Sequence, residues 1–271
     1  MQVFKVQSGD SPIVLGLPHG GTYLPDEIKA RLNDNGRMLA DTDWHIERLY
    51  SGLFPGATVV KSNSHRYVID ANRNPHGVSL YPGQNTTTLV PLTDFDGAPI
   101  WSEGQEPSDD EIEDRRAQFH TPYHEALELE LARVKAKHGV AILFDCHSIR
   151  SNIPFLFDGE LPIFNTGTNN GETCAPGIEH AVHHVAEASG QSSVLNGRFK
   201  GGWSTRHYGQ PDTGVHAIQM EISQRAYMFE TPPWNYDEAR AAAIRPHLQQ
   251  MLETLNDLAL SGRLQTEGNA P

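Results

Sequence analysis

The sequence predicts an α/β fold, a central sheet of mostly parallel or mixed strands with helices on both faces. Three observations point there. Apolar runs of strand length alternate with helical segments along most of the chain. The length, 271 residues, suits one large α/β domain better than two small ones. Residues able to do chemistry fall just after strand ends, where ligands bind in such sheets.

Residues 12–17, Pro-Ile-Val-Leu-Gly-Leu, read as a buried strand running into the turn Pro18-His19-Gly20-Gly21. Residues 25–32 suit a short helix, opening on Pro and then Asp-Glu. A second helix is expected over 41–53, and strands over 57–61 and 67–69. Residues 72–96 are rich in Gly, Pro, Asn and Thr and read as a long loop. Residues 107–138 are mostly helical, with Ser108 as N-cap and Pro122 as a kink or division. A strand at 140–144 follows Gly139. Short strands are expected at 155–157, 162–165 and 194–199, with a helix at 178–189 between them. Residues 201–214 read as a polar loop, 215–222 as an alternating strand, and 236–260 as a closing helix. Residues 1–260 are therefore expected to form a single catalytic domain, with 261–271 a flexible tail.

Composition narrows the function. Lys and Arg number 21 against 34 Asp and Glu, a net charge of −13, and no run of five basic residues occurs. A nucleic-acid binder normally carries the opposite balance, and an anionic membrane surface would repel this one. There is no bilayer-length apolar run and no signal-like N-terminus, so a cytoplasmic location is expected. The two cysteines, Cys146 and Cys174, make no disulfide framework. Arginine outnumbers lysine 15 to 6, and many arginines sit in irregular polar segments. Their planar forks suit carboxylates, so an acidic protein can still hold a positive pocket.

Five groups of residues could carry chemistry. His19 follows the first strand, and Gly20 and Gly21 let the backbone approach a bound group. It is either a metal ligand or a histidine satisfied in a turn. Asp41, Asp43 and His45 crowd five positions; Asp43 is the preferred ligand, while Asp41 or Thr42 could cap a helix and Asp41 or His45 could hold a ligand from behind. His147 ends a strongly apolar strand and is the strongest candidate ligand. Asp145, on the same side of the pleat, either orients a ligand or accepts a nearby Arg. Ser148 lacks a nucleophile elbow around it. Alternation through 215–222 puts Gln219 and Glu221 on one face, making Glu221 a general base or a partner for Arg225. Arg66, Arg73, Arg150, Arg206 and Arg225 lie at polar junctions, as carboxylate clamps or as fold-stabilising ion-pair partners. His120 and His124 share a helix face without the Glu of H-E-x-x-H, so they suit support or packing.

The stretches LPHGGTYLP (17–25), DTDWHIERL (41–49), HRYVIDANRNP (65–75), FHTPYHEAL (119–127), FDCHSIRSNIP (144–154), GGWSTRHYGQP (201–211) and GVHAIQMEISQRAYM (214–228) resemble, in that order, the N-formylglutamate amidohydrolase (deformylase) family of histidine catabolism. The resemblance implies a three-layer αβα sandwich like that of zinc carboxypeptidases and amidohydrolases. It implies one divalent metal ion, Zn2+, on His19, His147 and a carboxylate that matches Asp43, with Glu221 as base. The carboxypeptidase H-x-x-E pair is absent, because Thr22 stands where its Glu would be, so the third ligand comes from farther along the chain. Asn72-Arg73 looks like the Asn-Arg pair that grips a substrate carboxylate in carboxypeptidases. Arg66, Arg206 and His207 are further substrate-binding candidates, and Arg150 or Arg73 would hold the oxyanion. Asp41, His45, Asp145, His124 and Arg225 are candidates to support these groups from behind.

The expected reaction is hydrolysis of N-formyl-L-glutamate to formate and L-glutamate. The expected partner is thus a small anion with two carboxylates, with no nucleic acid and no membrane, acting on a monomer or small homo-oligomer. Three rivals stand beside it: a zinc amidohydrolase for another N-acyl amino acid or a peptide-like substrate, a non-catalytic dicarboxylate-binding protein, and a serine hydrolase using Ser148.

Overall fold

A computed structural model describes residues 2–80 and 83–264. Seven strands form one mixed sheet in the order β1-β3-β2-β4-β7-β5-β6. They are β1 (Phe4–Gln7), β2 (Ile13–Leu17), β3 (Thr58–Ser62), β4 (Ala141–Ile149), β5 (Phe164–Gly167), β6 (Ser193–Leu195) and β7 (Val215–Ser223). The central four, β3, β2, β4 and β7, run parallel, while β1 and β5 join antiparallel. The helices are α1 (Asp26–Arg31), α2 (Asp34–Arg37), α3 (Ile46–Tyr50), α4 (Asp109–Arg115), α5 (Thr121–His138), α6 (Pro176–Ala188), α7 (Trp203–Tyr208) and α8 (Glu238–Leu260).

Alternation along the central strands makes two cores. Ile142, Phe144 and Cys146 of β4 and Ile218, Met220 and Ile222 of β7 pack with α3, α6 and α8. Ala141, Leu143 and Ala217 face the other way, against Tyr123, Leu127, Leu131 and Val134 of α5. Each fully buried Leu or Ile contributes roughly 1.5–3 kcal/mol, which is why the apolar runs become the sheet's centre. Helices on both faces give the expected three-layer αβα sandwich. Among the described residues no helix is long and apolar enough to cross a membrane.

Topology then fixes where a site can form. The chain leaves β2, places β3 on one side of it and returns to place β4 on the other. The loops beyond the C-terminal ends of β2 and β4 therefore diverge and open a crevice. Gly139, at a φ of 75°, ends α5 and turns the chain into β4. In the β4/β7 register His147 stands opposite Glu221.

Several expected elements differ. Residues 41–45 are not helical: His45 adopts a left-handed conformation, and α3 starts only at Ile46. His45 Nε2 instead bonds to the Trp234 carbonyl at 2.7 Å. The strand expected at 67–69 does not form; residues 66–68 make a turn. The buried Arg115 guanidinium binds the Tyr67 and Val68 carbonyls at 3.4 and 3.1 Å, doing what a neighbouring strand would do. Residues 155–157 form no strand. The polar stretch 201–214 contains α7. Between α4 and α5 lies a π-helical turn, Arg116–His120, just before Pro122, a wide turn that suits a residue with no N–H to give. Of the tail, residues 261–264 form a turn, and the expectation for 265–271 lies outside the described residues.

Candidate metal centre and active site

His19 arrives on the turn after β2, His147 near the end of β4, and Asp43 on the loop before α3. Backbone contacts hold the loop in place: Asp43 N–H donates to the His19 carbonyl at 3.1 Å, and Ser148 N–H donates to Asp43 Oδ2 at 3.0 Å. All three side chains are buried. His19 Nδ1 and His147 Nδ1 lie 3.2 Å apart, and Asp43 Oδ2 lies 3.9 and 3.3 Å from them. Tetrahedral ligands about 2.0–2.1 Å from a zinc ion stand about 3.3–3.4 Å apart. The three atoms sit close to that spacing.

The groups behind the histidines fit the same reading. His19 Nε2 meets Asp70 Oδ1 at 2.6 Å, so its proton sits there and Nδ1 keeps its lone pair. His147 Nε2 has Asp145 Oδ1 at 3.1 Å and the Asn72 amide nitrogen at 3.0 Å, and of these only the carboxylate can accept a proton. With that tautomer two imidazole lone pairs and a carboxylate oxygen converge on one point. Such a set repels itself unless a cation or a proton sits among it. Among the described residues these three form the one His, Cys, Asp and Glu group close enough to hold a metal ion. The cofactor is one divalent ion.

Electrostatics agree. Burial, then Arg66, lowers His19 to about 4, so it is neutral and free to ligate. Burial opposes charge on Asp43, yet Arg66 Nη2, 2.7 Å from Oδ1, and the histidines hold it below its usual value. Burial would also lower His147, but the Asp145 charge and hydrogen bond override it and hold the ring well above its usual value. A proton thus competes for the point that a metal would occupy.

Glu221 borders the pocket together with His19, His147, Asn72, Gln219 and three arginines, Arg66, Arg73 and Arg198. Burial pushes its pKa up to about 8, against the pull of His147. A divalent cation nearby adds positive charge and draws that value down. Burial thus opposes its charge, and it is a carboxyl group ready to exchange a proton beside His19 and His147.

Residues 11–228 match the family model of N-formylglutamate amidohydrolase. The chain belongs to the N-formylglutamate amidohydrolase family. It is 46% identical over 256 residues to N-formylglutamate deformylase of Pseudomonas aeruginosa, covering 94% of this chain and 96% of that protein. It is 45% identical, over the same shares, to N-formylglutamate deformylase of Pseudomonas putida. The fold is shared with the crystal structure of N-formylglutamate amidohydrolase from Ralstonia eutropha, at a TM-score of 0.79 and 24% identity over 97% of this chain and 99% of that one. A second structure, of a gene product from Agrobacterium tumefaciens, aligns at a TM-score of 0.72 and 18% identity over 95% and 96% of the two chains.

Within this family member the other candidates divide. Arg66 stacks on Phe95 and spans Asp43 and Asp70. Arg73 lies 3.6 Å from Asp70 and is anchored on the carbonyl and hydroxyl of Thr87. Asp41 accepts from Tyr67 and from Phe95 N–H, which braces the loop carrying Asp43. His124 bonds to the Ala71 carbonyl and the Tyr208 hydroxyl, fixing the segment that leads into Asn72.

Five candidates are not among the residues that line the pocket. Arg150 turns to Asp96 at 2.8 Å and to Asp41 at 3.8 Å and is not one of the residues lining the pocket. Arg206 bonds to the Gly201 and Leu80 carbonyls. His207 is exposed and stacks on Trp203 with ring centroids 4.3 Å apart. Arg225 pairs with Glu160 rather than Glu221, and His45 serves Trp234.

Sequence reasoning gave Asp70 no part beyond that of an ion-pair partner for the arginines, which it is for Arg66 and Arg73, and gave Arg198 and Gly202 none. Asp70 lies two residues before Asn72 in a stretch already singled out. Its role behind His19 shows only once the turn folds over. Arg198 comes from the segment after β6, and nothing in its neighbours marks it.

Proposed function

We propose that this chain hydrolyses N-formyl-L-glutamate to formate and L-glutamate, with one zinc ion held by His19, Asp43 and His147 and with Glu221 as general base. One observation carries the reading: two imidazole Nδ1 atoms and a carboxylate oxygen converge, at tetrahedral spacing, beside a buried glutamate in an arginine-lined pocket. A divalent ion there supplies Lewis-acid polarisation of the formyl carbonyl and acidifies water. Glu221 takes the proton of the attacking water as its oxygen bonds to the formyl carbon. It then gives that proton to the amide nitrogen as the C–N bond breaks. Formate and the free amine leave, and Glu221 is again a carboxylate.

Arg73 with Asn72 grips one substrate carboxylate and Arg198 the other, and Arg66 keeps Asp43 ionised. The site sits in one catalytic unit spanning residues 1–260. Formate release from N-formylglutamate, compared with N-formylaspartate, N-acetylglutamate and N-carbamoylglutamate, tests the substrate. A metal-loaded enzyme that releases no formate refutes the reading. Glu221→Gln should keep the metal and lose roughly 10²–10⁴-fold in kcat. Chelation should abolish turnover and metal return restore it, which a serine hydrolase would not show.

A further inference from the structure

Gln219 lies two residues before Glu221 on the same face of β7 and is 4% exposed. Its side chain is bound at both ends. Gly202 N–H donates to Oε1 at 2.7 Å, and Nε2 donates to Glu221 Oε2 at 3.1 Å. The orientation is dictated chemically. A backbone N–H only donates, so the amide oxygen must face Gly202 and the amide nitrogen must face Glu221. That nitrogen in turn only donates, so Glu221 Oε2 must offer it a lone pair.

The other end is just as constrained. A Cβ on residue 202 would fall 2.3 Å from the Asn72 amide nitrogen, so only glycine lets this backbone approach so closely. Ser204 N–H donates to Asn72 Oδ1 at 2.8 Å, which fastens the segment to the pocket wall. Among the described residues no hydrogen bond engages Glu221 Oε1, and Glu221 lines the pocket, so Oε1 is the oxygen left to exchange a proton there.

We propose that Gln219 is a positioning residue that reserves Glu221 Oε1 as the proton-carrying oxygen. This rests on Glu221 being the base. With Oε2 engaged as an acceptor, the proton broken from the attacking water forms its new bond at Oε1. The same Oε1–H bond then breaks as N–H forms on the departing amine. The carboxyl group need not rotate between the two transfers, and no proton is stranded on the oxygen facing away from the reaction.

The test is a double-mutant cycle on the metal-loaded enzyme. Gln219→Leu should lower kcat about 10- to 100-fold, with KM within about threefold and metal content unchanged. In a Glu221→Ala background the same change should alter the residual rate less than about twofold, because the group it positions is gone. Gln219→Met, which keeps the length and loses both polar ends, repeats the measurement should the Leu variant fold poorly. Equal losses in both backgrounds would assign Gln219 a purely structural part and overturn the proposal, as would an unchanged kcat. If Glu221→Ala itself retains full activity, the base assignment has failed, and that outcome is read separately from the cycle.

Discussion

Each of His19, Asp43 and His147 is held by a further residue, and the clearest case is His19. Asp70 is fully buried, and Arg73, His19 and Arg66 outweigh its burial to hold its carboxyl well below the usual range. It therefore stays charged and keeps the His19 proton on Nε2. Asp70→Asn can still touch that nitrogen but no longer demands its proton. Metal affinity should fall roughly 10- to 100-fold, measured by competition with a chromogenic chelator; an unchanged dissociation constant would free Asp70 of this part. A second prediction concerns Arg198, whose Nε and Nη2 donate to the Leu156 and Asn85 carbonyls and whose guanidinium lies over Phe199. That anchoring presets the fork for a planar anion. Arg198→Met should raise KM for N-formylglutamate at least tenfold while changing it little for N-formylglutamine. Equal effects on both substrates would deny it the side-chain carboxylate. His19 and His147 were legible because each follows an apolar run, at a place where an imidazole gains nothing from packing. Asp70 and Arg198 were not, because their neighbours in space come from loops far away in sequence.

At the scale of elements, strands proved more legible than the loops that build the site. β2, β3, β4 and β7 appear where apolar runs predict them, β2, β4 and β7 because burial on both faces overrides local preference and β3 because one of its faces is buried. The loop of Asp43 and the turn at 66–68 do not, because buried polar partners decide them: Asp43 Oδ2 takes the Ser148 N–H, and Arg115 takes the Tyr67 and Val68 carbonyls. The segment 201–208 is the most consequential. Its polar composition reads as loop, yet it forms α7 and presents Gly202 N–H to Gln219 and Ser204 N–H to Asn72. Gly202→Ala forces this backbone off Asn72. The overpacking should cost about 1–3 kcal/mol, read by urea unfolding, and should lower kcat/KM at least tenfold with metal content kept. Wild-type kcat/KM in that variant would show that the segment plays no part in positioning.

For the molecule as a whole, the three-layer arrangement was predictable from the alternation of strand and helix. The antiparallel placement of β1 and β5 was not, because single runs carry no record of direction. The same architecture buries His65, His120, His124 and His216 as well as the two histidines of the site, and this sets its response to acid. His124 is the cleanest example, since its Nε2–H donates to Ala71 and its Nδ1 accepts from Tyr208. Burial, then His120, puts its pKa well below the usual 6.5. The folded state therefore binds this proton less readily than the unfolded chain does. Its stabilising contribution is complete above pH 6.5 and is lost as pH falls from there toward the depressed folded value. The slope is at most about 1.4 kcal/mol per pH unit for one such group. His124→Gln keeps a donor for Ala71 and an acceptor for Tyr208 but cannot titrate. Urea midpoints measured at pH 7.5 and pH 5 should therefore drop more in the wild-type protein than in the variant. Raised-pKa groups such as His147 oppose the trend and are common to both proteins, so the difference between the two drops isolates His124. Parallel drops would mean that this histidine takes up its proton in the folded state as easily as in the unfolded one, and the buried, neutral assignment would have to be abandoned.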